Sequence, residues 1–536
     1  MNDTYTAWKE RLDGALDRQV LEAMTPPEIA DAFSGSLAFG TGGLRGVMGL
    51  GTNRINRYTV ERVTHGLAGV ILSRESPKSA GIAHDTRYNS AEYAQIVCDV
   101  LSAYGIDVRF FDRPMPTPAL SFAIRHLKLG WGVVITASHN PQEYNGYKVY
   151  DSRGVQVTDQ LANVITDAIN SVAFFKPLPE GRKGLSQNIE PTVESAYLDQ
   201  IISFVQTGRN SSEFPLVYSA LHGTGANVVP SVLIRLGYSP VCIQQDHDGS
   251  FGGIKTPNPE DPTVYEIALK EAKKCGAKLI LATDPDCDRV GVMVNTQSGF
   301  RLLDGNQIGA LLIDYLVKTR GVYPGDTVVT TIVSGLLGEH VAKANGLDFV
   351  RLLTGFKYIG EFAERLPEDK RFFFGYEESY GFLAGDGARD KDAVIASALI
   401  VRMADYYNQM EIDLYKRWED LSKTHGYCLE RLHSLDIPLI RQKEIMTKLR
   451  EWVSFKGLVR VDDYLLGIDG LHPSDVVKLY FDGSGWAAIR PSGTETKIKL
   501  YVGVREATLA AAELRLKSLA DELSKALVCM VDNRST

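Results

Sequence analysis

The first forty residues have the hydrophobic spacing of amphipathic helices. Large apolar side chains recur every four residues, which places them on one helical face. These side chains are Trp8, Leu12, Leu16 and Val20. The T-x-x-E pattern at residues 25–28 is typical of a capping box and predicts the start of a second helix.

After a glycine-rich stretch, "FGTGGLRGVMG", short apolar runs alternate with helical patterns. "AGIAHDTR" predicts a strand before a helix near residues 91–104, and "DVRFF" and "GWGVVITAS" predict the next strands. The pattern restarts with "FPLVYSALHGTGANVV" and again with "DTVVTTIVSGLLGEHVAKANG". Each restart leads to a further buried strand, "AKLILATDPDCDR" or "RFFFGYEESYG". This alternation predicts a threefold repetition of α/β units.

The C-terminal part of the chain has a different pattern. "DDYLLGIDG", "VVKLYFDGSGWAAIRPS" and "KIKLYVGV" predict antiparallel strands, and a helix over residues 507–527 closes the chain. The predicted fold class is therefore α/β, with three related mixed α/β domains and a smaller C-terminal α+β domain. The predicted ranges are 1–208 (domain I), 209–305 (domain II), 306–425 (domain III) and 426–536 (domain IV).

Charge and cysteine usage exclude several classes of protein. A formal net charge of −8 argues against binding to nucleic acid or an acidic membrane, since both need a basic surface. No apolar run reaches eighteen residues, so we expect no membrane span. Scattered cysteines without a C-x-x-C pair and a charged N-terminus indicate a cytoplasmic protein with reduced thiols. A small anionic substrate is compatible with the charge, because only its pocket must be positive.

Three aspartates at alternate positions follow a buried strand in "LILATDPDCDRVG". Asp284, Asp286 and Asp288 offer hard oxygen ligands for a divalent cation. An EF-hand does not fit, because Arg289 replaces the glycine at its sixth position and Asn295 the glutamate at its twelfth. Magnesium completes its octahedron with water and phosphate oxygens, so three carboxylates imply a phosphate partner. A solvated acidic turn is the alternative.

The strand in "VVITASHNPQEYNGYK" ends in a turn that presents Ser138 beside His139. Turn chemistry alone accounts for such a sequence. The functional alternative is a nucleophilic serine, with His139 or Lys148 nearby to handle a proton. The flanking residues exclude the G-x-S-x-G elbow of hydrolases.

Two further stretches carry polar groups at strand ends. "WAAIRPSGTETKIKLYV" suits a phosphate, because a glycine loop exposes backbone N–H groups and an arginine can bind two phosphate oxygens. Its candidate residues are Arg490, Ser492, Gly493, Thr494 and Lys497. In "FFFGYEESYGF", Glu377 and Ser379 suit sugar hydroxyls. For the first stretch, an ordinary hairpin turn is the alternative. For the second, the alternatives are generic surface acids or a glycosidase pair of carboxylates. The glycosidase pair fits poorly, because neighbouring residues in a strand point to opposite faces.

Together and in this order, the four stretches resemble those of the α-D-phosphohexomutase superfamily. T-A-S-H-N-P resembles its phosphoserine loop, D-x-D-x-D-R its magnesium loop, E-E-S-x-G its sugar loop and R-x-S-G-T-E its phosphate loop. "GTGGLRG" and "GYEESYG" resemble the longer phosphoglucomutase and phosphopentomutase branch. The resemblance covers essentially the whole chain, and it implies that the four domains surround a central cleft.

The resemblance also implies residue roles. Ser138 would carry a phosphoryl group, and one of its oxygens would join Asp284, Asp286 and Asp288 around Mg²⁺. Arg289 and Arg45 would lie close to that group, and Lys357 would join the sugar and phosphate loops in binding substrate. Histidines of the shorter members have no counterpart at Gly381 or at Phe356–Lys357. Lys148, His139 and Lys391 are therefore the candidates for general base and acid.

The resemblance implies interconversion of glucose 1-phosphate and glucose 6-phosphate through a phosphoserine and a bisphosphorylated sugar. A sugar 1,6-bisphosphate would be the activator, and domain IV would swing on a hinge near residue 426. Pentose or mannose phosphates, and synthesis of glucose 1,6-bisphosphate, are alternatives with the same loops. A non-catalytic sugar-phosphate sensor is the alternative of another class. We expect a monomer or homodimer, a phosphosugar as partner, and no nucleic acid or membrane.

Overall fold

The computed structural model describes residues 3–12, 14–40, 43–181, 183–206, 214–451, 454–491 and 497–531. Short helices form the N-terminal segment: α1 (Asp3–Arg11), α2 (Ala15–Ala23) and α3 (Pro26–Ala32). The predicted capping box is present at Thr25 and Glu28. The predicted continuous apolar face is wrong beyond residue 12: the chain breaks between α1 and α2, so Leu16 and Val20 are 72% and 48% exposed and Leu21 is buried instead.

Domain I contains a mixed sheet in the order β1-β5-β4-β2-β3-β6, with helices packed against it. Strands β2, β3, β4 and β6 run parallel, and β5 and β1 are added antiparallel at one edge. Every residue of β4, the predicted "WGVVI" strand, is buried. The elements are β1 (Gly43–Val47), α4 (Arg57–Ser73), β2 (Ser79–His84), α5 (Ser90–Ala103), β3 (Asp107–Phe110), α6 (Thr117–His126), β4 (Trp131–Ile135), β5 (Tyr144–Asp151), α7 (Asp159–Asn170), β6 (Ser186–Asn188) and α8 (Pro191–Val205).

Domain II has a sheet in the order β11-β10-β9-β7-β8. Strands β9 and β10 pair antiparallel, and the aspartate-rich stretch forms the loop between them. The elements are β7 (Leu216–Ser219), α9 (Gly225–Arg235), β8 (Val241–Ile243), α10 (Glu266–Cys275), β9 (Leu279–Thr283), β10 (Val290–Thr296) and β11 (Gly299–Leu303).

Domain III has a sheet in the order β13-β12-β14-β15, and its helix α14 is buried along most of its length. The elements are α11 (Gly305–Arg320), β12 (Asp326–Thr331), α12 (Leu337–Ala344), β13 (Asp348–Leu352), α13 (Phe356–Glu364), β14 (Arg371–Tyr376), β15 (Phe382–Leu383), α14 (Ala393–Asn408) and α15 (Leu414–His425).

Domain IV is an antiparallel sheet in the order β16-β20-β19-β18-β17. The predicted strand over "DDYLLGIDG" ends at Asp463, whose carboxylate accepts a hydrogen bond from Leu465 N and starts a 3-10 turn. The elements are β16 (Tyr427–Asp436), α16 (Leu439–Glu451), β17 (Leu458–Asp463), β18 (Val477–Phe481), β19 (Gly485–Pro491), β20 (Lys497–Glu506) and α17 (Leu509–Val531). Helix α17 starts and ends a few residues later than predicted.

Some hydrophobic clusters extend across domains, and others belong to a single domain. One cluster is continuous through domains I, II and III and reaches Cys428 in β16. A second belongs to the sheet of domain IV, and a third is shared by domains III and IV. The predicted domain boundaries stay predictions, and the first of them, 208/209, lies outside the described residues. In the part of the chain that the structure describes, no helix has the length and apolar character needed to cross a bilayer.

Candidate functional site

The turn after β4 presents Ser138 in a left-handed backbone conformation, with φ +52°. Its N–H donates to Thr136 Oγ1 at 2.8 Å, and the Arg87 guanidinium donates to the carbonyl of Ser138. A non-glycine residue in this region is uncommon and persists where the surroundings hold it. The serine side chain is buried, so its hydroxyl has a fixed direction.

The loop between β9 and β10 gathers Asp284, Asp286 and Asp288. Their carboxylate oxygens lie within 4.8 Å of one another, and all three side chains are buried. Asp284 Oδ1 accepts hydrogen bonds from the backbone N–H groups of Asp288 and Arg289, at 3.1 and 3.0 Å. The loop is therefore fixed by its own backbone before any ligand binds.

The serine turn and the aspartate loop meet directly. Ser138 Oγ donates a hydrogen bond to Asp284 Oδ2 at 2.7 Å, although the two residues belong to different domains. A phosphoryl group on Ser138 would therefore lie beside the three carboxylates, as the resemblance implies.

The carboxylate cluster fits a divalent cation such as Mg²⁺. Asp286 Oδ1 and Asp288 Oδ1 are buried and have no hydrogen-bond partner among the described residues. Burial, together with Asp286 and Asp288, raises the pKa of Asp284 well above its ordinary value. Buried carboxylates with unused oxygens are costly unless a cation compensates them, and hard oxygen donors are the ligands that magnesium prefers.

Two lysines flank the cluster. Lys148 Nζ lies 2.8 Å from Asp286 Oδ2 and 3.1 Å from Asp288 Oδ2, and Lys391 Nζ lies 3.2 Å from Asp288 Oδ2. Burial lowers the pKa of Lys148, but the carboxylates outweigh it and the net shift is upward; the pKa of Lys391 is also raised. Both lysines are thus protonated here and stabilise negative charge at the site.

Three further side chains lie around the Ser138 hydroxyl: those of His139, Arg289 and Arg45. His139 Nδ1 lies 3.2 Å from Ser138 Oγ. Enclosure in the site, followed by the charges of Arg289 and Arg45, holds the pKa of His139 well below its usual range, so the imidazole is neutral. Arg289 donates to Glu260 at 3.0 Å, and Arg45 donates to the side chain of Asn140 at 2.8 Å.

The sugar loop, residues 377–381, lies against the strand that leaves the aspartate loop. Val290 N donates to the carbonyl of Tyr380 at 3.2 Å, and Glu377 Oε1 accepts from Gly355 N at 2.9 Å. Burial, aided by neighbouring Glu378, raises the pKa of Glu377 to about 7. Ser379 is half-buried in the same loop.

Gly381 lies against the side chain of Lys391. A Cβ atom at Gly381 would lie 2.2 Å from Cδ of Lys391. The stem of Lys391 therefore occupies the space that a side chain at position 381 would need. Position 381 therefore has no room for a side chain while Lys391 holds this conformation.

The predicted phosphate loop is described only in part. Arg490 lies near the end of β19 and Lys497 is exposed at the start of β20, whereas Ser492, Gly493 and Thr494 lie outside the described residues. Arg490 and Lys357 line one cavity of about 440 Å³ between domains I, III and IV. Within it, Lys357 Nζ forms an ion pair with Asp159 at 2.6 Å.

Sequence patterns did not indicate several residues that hold the site. They are Thr117, which binds Asp286; Arg87, which holds the serine turn; Glu260, which pairs with Arg289; and Asp390, which pairs with Lys391. None belongs to one of the four stretches, and each reaches the site from another loop. Of these residues, Thr117 alone lies in a stretch with a local signal: the P-x-P-T-P pattern at residues 114–118 is typical of a helix start.

Thr117→Val should weaken metal binding without removing it. Thr117 Oγ1 donates to Asp286 Oδ2 at 2.8 Å, and its N–H donates to the Asp286 carbonyl. Loss of a group that orients a metal ligand typically costs about 10–100-fold in affinity. We expect a loss of about tenfold in magnesium titration of activity, with turnover largely restored at saturating Mg²⁺. Thr117→Ser keeps the hydroxyl and is the matched control; identical titrations of the Val variant and the wild type would contradict the assignment.

Comparison with known proteins identifies the family. The models of three phosphoglucomutase/phosphomannomutase α/β/α domains match this chain, domain I over residues 36–176, domain II over 195–299 and domain III over 304–421. The chain belongs to the phosphoglucomutase/phosphomannomutase family. This confirms the predicted superfamily, the predicted fold class and the predicted class of enzyme, a phosphotransferase isomerase.

Relatives in this family cover nearly the whole chain. A phosphoglucomutase of Staphylococcus epidermidis is 34% identical over 526 residues, which cover 93% of this chain and 96% of the relative. A phosphoglucomutase of Staphylococcus haemolyticus is 33% identical over 528 residues, covering 93% and 95%.

Solved structures of this family share the fold. A phosphoglucomutase/phosphomannomutase family protein of Burkholderia thailandensis has a TM-score of 0.73 at 20% identity, covering 93% of this chain and 98% of its own. The open form of parafusin, a phosphoglucomutase of Paramecium, has a TM-score of 0.73 at 17% identity, covering 95% and 97%.

Proposed function

We propose that this protein interconverts glucose 1-phosphate and glucose 6-phosphate through a phosphorylated Ser138. The observation that carries the proposal is the hydrogen bond between Ser138 Oγ and Asp284 Oδ2, within a buried cluster of three carboxylates. The relatives named phosphoglucomutase support the choice of glucose.

The reaction consists of two phosphoryl transfers, one from the enzyme to the sugar and one from the sugar back to the enzyme. A sugar hydroxyl oxygen attacks the phosphorus of phosphoserine 138 and gives its proton to a general base, while the bond from phosphorus to Ser138 Oγ breaks and Ser138 Oγ takes a proton from a general acid. The product is a sugar bisphosphate. After it turns round, Ser138 Oγ gives its proton to the base and attacks the phosphorus of the other phosphate group. The bond from that phosphorus to the sugar oxygen breaks, and the sugar oxygen takes a proton from the general acid. The net result is migration of phosphate between the anomeric and terminal positions.

Positioning and charge neutralisation supply most of the catalysis in phosphoryl transfer. Asp284, Asp286 and Asp288 would hold Mg²⁺, which when bound neutralises negative charge on the phosphoryl oxygens. Arg289, Lys148 and Lys391 add positive charge around the same point. Arg45, from the edge strand β1, donates to the side chain of Asn140 in the serine turn and would contact the phosphoryl group as well.

Proton transfer has three candidate groups. His139 is neutral and lies 3.2 Å from Ser138 Oγ, so it is able to accept a proton. Lys148 and Lys391 are protonated, so they are able to donate one. His139 is therefore a candidate for the base, and the two lysines are candidates for the acid.

Reorientation of the bisphosphate needs one phosphate site and one sugar site that serve both orientations. Arg490 and Lys357, which share one cavity, would bind the phosphate that is not reacting, together with Lys497 and the loop at residues 492–494. Glu377 and Ser379 would read the sugar hydroxyls. Domain IV has its own core, and Gly426, with φ +91°, separates α15 from β16, which suits a hinge near residue 426.

Comparison of turnover on glucose, mannose, ribose and deoxyribose 1-phosphates tests the substrate. We expect the highest kcat/KM with glucose 1-phosphate, stimulated by glucose 1,6-bisphosphate as activator. Faster turnover of a pentose or mannose phosphate would make the protein a phosphopentomutase or phosphomannomutase with the same mechanism. Absence of turnover on all four would favour a sugar-phosphate sensor. We further propose that the protein is cytoplasmic. Measurement of its mass in solution would distinguish a monomer from a homodimer.

A further inference from the structure

The sugar loop contains an acidic residue to which the proposed reaction gives no task. Glu378 Oε2 accepts hydrogen bonds from Thr331 Oγ1 and Ser334 Oγ, both at 3.1 Å. Thr331 and Ser334 are fully buried, and their hydroxyls lie 2.9 Å apart. A charged acceptor held by two buried hydroxyls has a fixed direction. Glu378 therefore ties the sugar loop to the turn between β12 and α12, residues 331–336.

This β12–α12 turn is itself held firmly within domain III. Arg351 Nη1 donates to the carbonyls of Thr331 and Ser334, at 3.1 and 2.8 Å. Gly335 N donates to Asn306 Oδ1 at 2.8 Å. Because these backbone groups are hydrogen-bonded, the turn is a firmly held link between the elements on its two sides.

Domain IV rests on the opposite side of the same turn. Lys478 Nζ donates to the carbonyl of Ile332 at 2.6 Å. Trp486 and Tyr501 pack in one apolar cluster with Ile332 and Val333. This turn therefore forms part of the surface of domain III on which domain IV rests, here called the seat of domain IV.

A second contact joins the turn to the first strand of domain IV. The carboxylate of Glu430, in β16, accepts hydrogen bonds from Leu336 N at 3.3 Å and from Asn306 Nδ2 at 3.2 Å. Gly335 allows this approach, because a Cβ there would lie 2.6 Å from the carboxylate. Domain IV thus contacts the turn through Glu430, which follows the hinge glycine Gly426 by four residues.

The strand that carries Arg490 lies on the turn as well. Trp486, Ala488 and Arg490 alternate along β19, so they share one face of the sheet. Trp486 and Ala488 belong to the cluster that contains Ile332. The position of Arg490, a proposed phosphate ligand, is therefore linked to the position of the turn.

We propose that Glu378 is a positioning residue that couples the seat of domain IV, and with it Arg490, to the sugar loop through the β12–α12 turn. The inference rests on the proposed mutase function, and it concerns how that site is aligned. When domain IV binds the distal phosphate, the position of the turn fixes the position of Glu378. Glu378 in turn orients Glu377 and Ser379 toward the sugar. A substrate read in two orientations needs this alignment twice in each cycle.

Glu378→Ala should raise the KM for glucose 1-phosphate about tenfold while changing kcat much less, because a lost alignment weakens substrate binding at the sugar loop. Glu378→Gln keeps an oxygen that accepts from Thr331 and Ser334, so it should restore most of the wild-type KM. Magnesium titration and the amount of phosphate on Ser138 should equal those of the wild type in both variants. An unchanged KM in the Ala variant would overturn the proposal, while wild-type turnover would still support the mutase function.

A double-mutant cycle tests whether the turn is the link. Lys478→Met removes the bond to Ile332 from the domain IV side and keeps an unbranched stem. We expect the rise in KM of the double variant with Glu378→Ala to equal roughly that of the larger single effect, because both changes break one connection. If the fold-changes in KM of the two single variants multiplied in the double variant, the proposed coupling would be refuted. Lys343→Met, which removes an exposed ion pair with Glu339 on α12, is the matched control and should leave KM unchanged in either background.

Hydrogen exchange gives a readout that does not depend on turnover. Inorganic phosphate added to the wild type should slow exchange in residues 331–336 and also in 376–383. In Glu378→Ala the first segment should still be protected and the second should not. Equal protection of both segments in the Ala variant would overturn the proposal.

Discussion

Ser138→Ala should lower mutase turnover by roughly 10⁴-fold or more, because the group that stores the migrating phosphate is lost. The variant should fold, since the substitution removes one hydroxyl whose partner, Asp284, also accepts two backbone hydrogen bonds. Coupled assay of glucose 6-phosphate formation and intact mass spectrometry check the two parts of this expectation. The wild type should carry phosphate and the variant should not.

Ser171→Ala is the matched control for Ser138. Ser171 lies at the exposed end of α7, and its hydroxyl donates to the carbonyl of Ala168. Its loss should leave both turnover and phosphate content unchanged. Near-wild-type turnover of Ser138→Ala would refute the phosphoserine mechanism, whereas a fully phosphorylated Ser138→Ala would place the phosphate elsewhere.

Asp286→Asn should remove magnesium dependence together with activity. Asp286 provides a buried oxygen that has no hydrogen-bond partner among the described residues, and its other oxygen accepts hydrogen bonds from Lys148 and Thr117. We expect metal affinity to fall by more than the roughly 10–100-fold that loss of a supporting group costs, and turnover to fall about 10³-fold. Isothermal titration with Mg²⁺ measures the first effect and the mutase assay measures the second.

Asp420→Asn provides a control for the loss of one carboxylate charge. Asp420 is on the surface of α15 and pairs with Lys416 and Lys423. Its variant should titrate with Mg²⁺ like the wild type. If Asp286→Asn also titrated like the wild type, the carboxylate cluster would not be the metal site.

Local sequence signals predicted those features whose cause lies within a few residues. The capping box at residues 25–28 and the buried strand β4 depend on neighbouring side chains and on short-range periodicity, and both are present. The spacing of Asp284, Asp286 and Asp288 likewise reflects a single loop. Where the chain breaks, periodicity misleads: Leu16 and Val20 continue a helical face in the sequence but not in space.

Long-range packing decided the features for which the sequence carries no nearby signal. Thr117, Glu260 and Asp390 reach the site from loops far apart in the chain, and their residue types are common on ordinary surfaces. The contact between Gly381 and Lys391 depends on how two loops pack. The aliphatic stem of Lys391 fills the space beside Gly381 that a side chain at position 381 would need.

The sequence by itself determined the alternation of strands and helices, the three-aspartate loop and the serine turn, since hydrogen bonding and hydrophobic periodicity within a segment produce each of them. The tertiary structure alone decided that Ser138 Oγ meets Asp284, that two lysines converge on the same carboxylates, and that Glu378 lies between the sugar loop and the seat of domain IV. The serine and lysine contacts join separate domains, and the Glu378 contact joins two loops of domain III that are 47 residues apart. Burial and charge pairing between such distant segments leave no periodic trace in a chain.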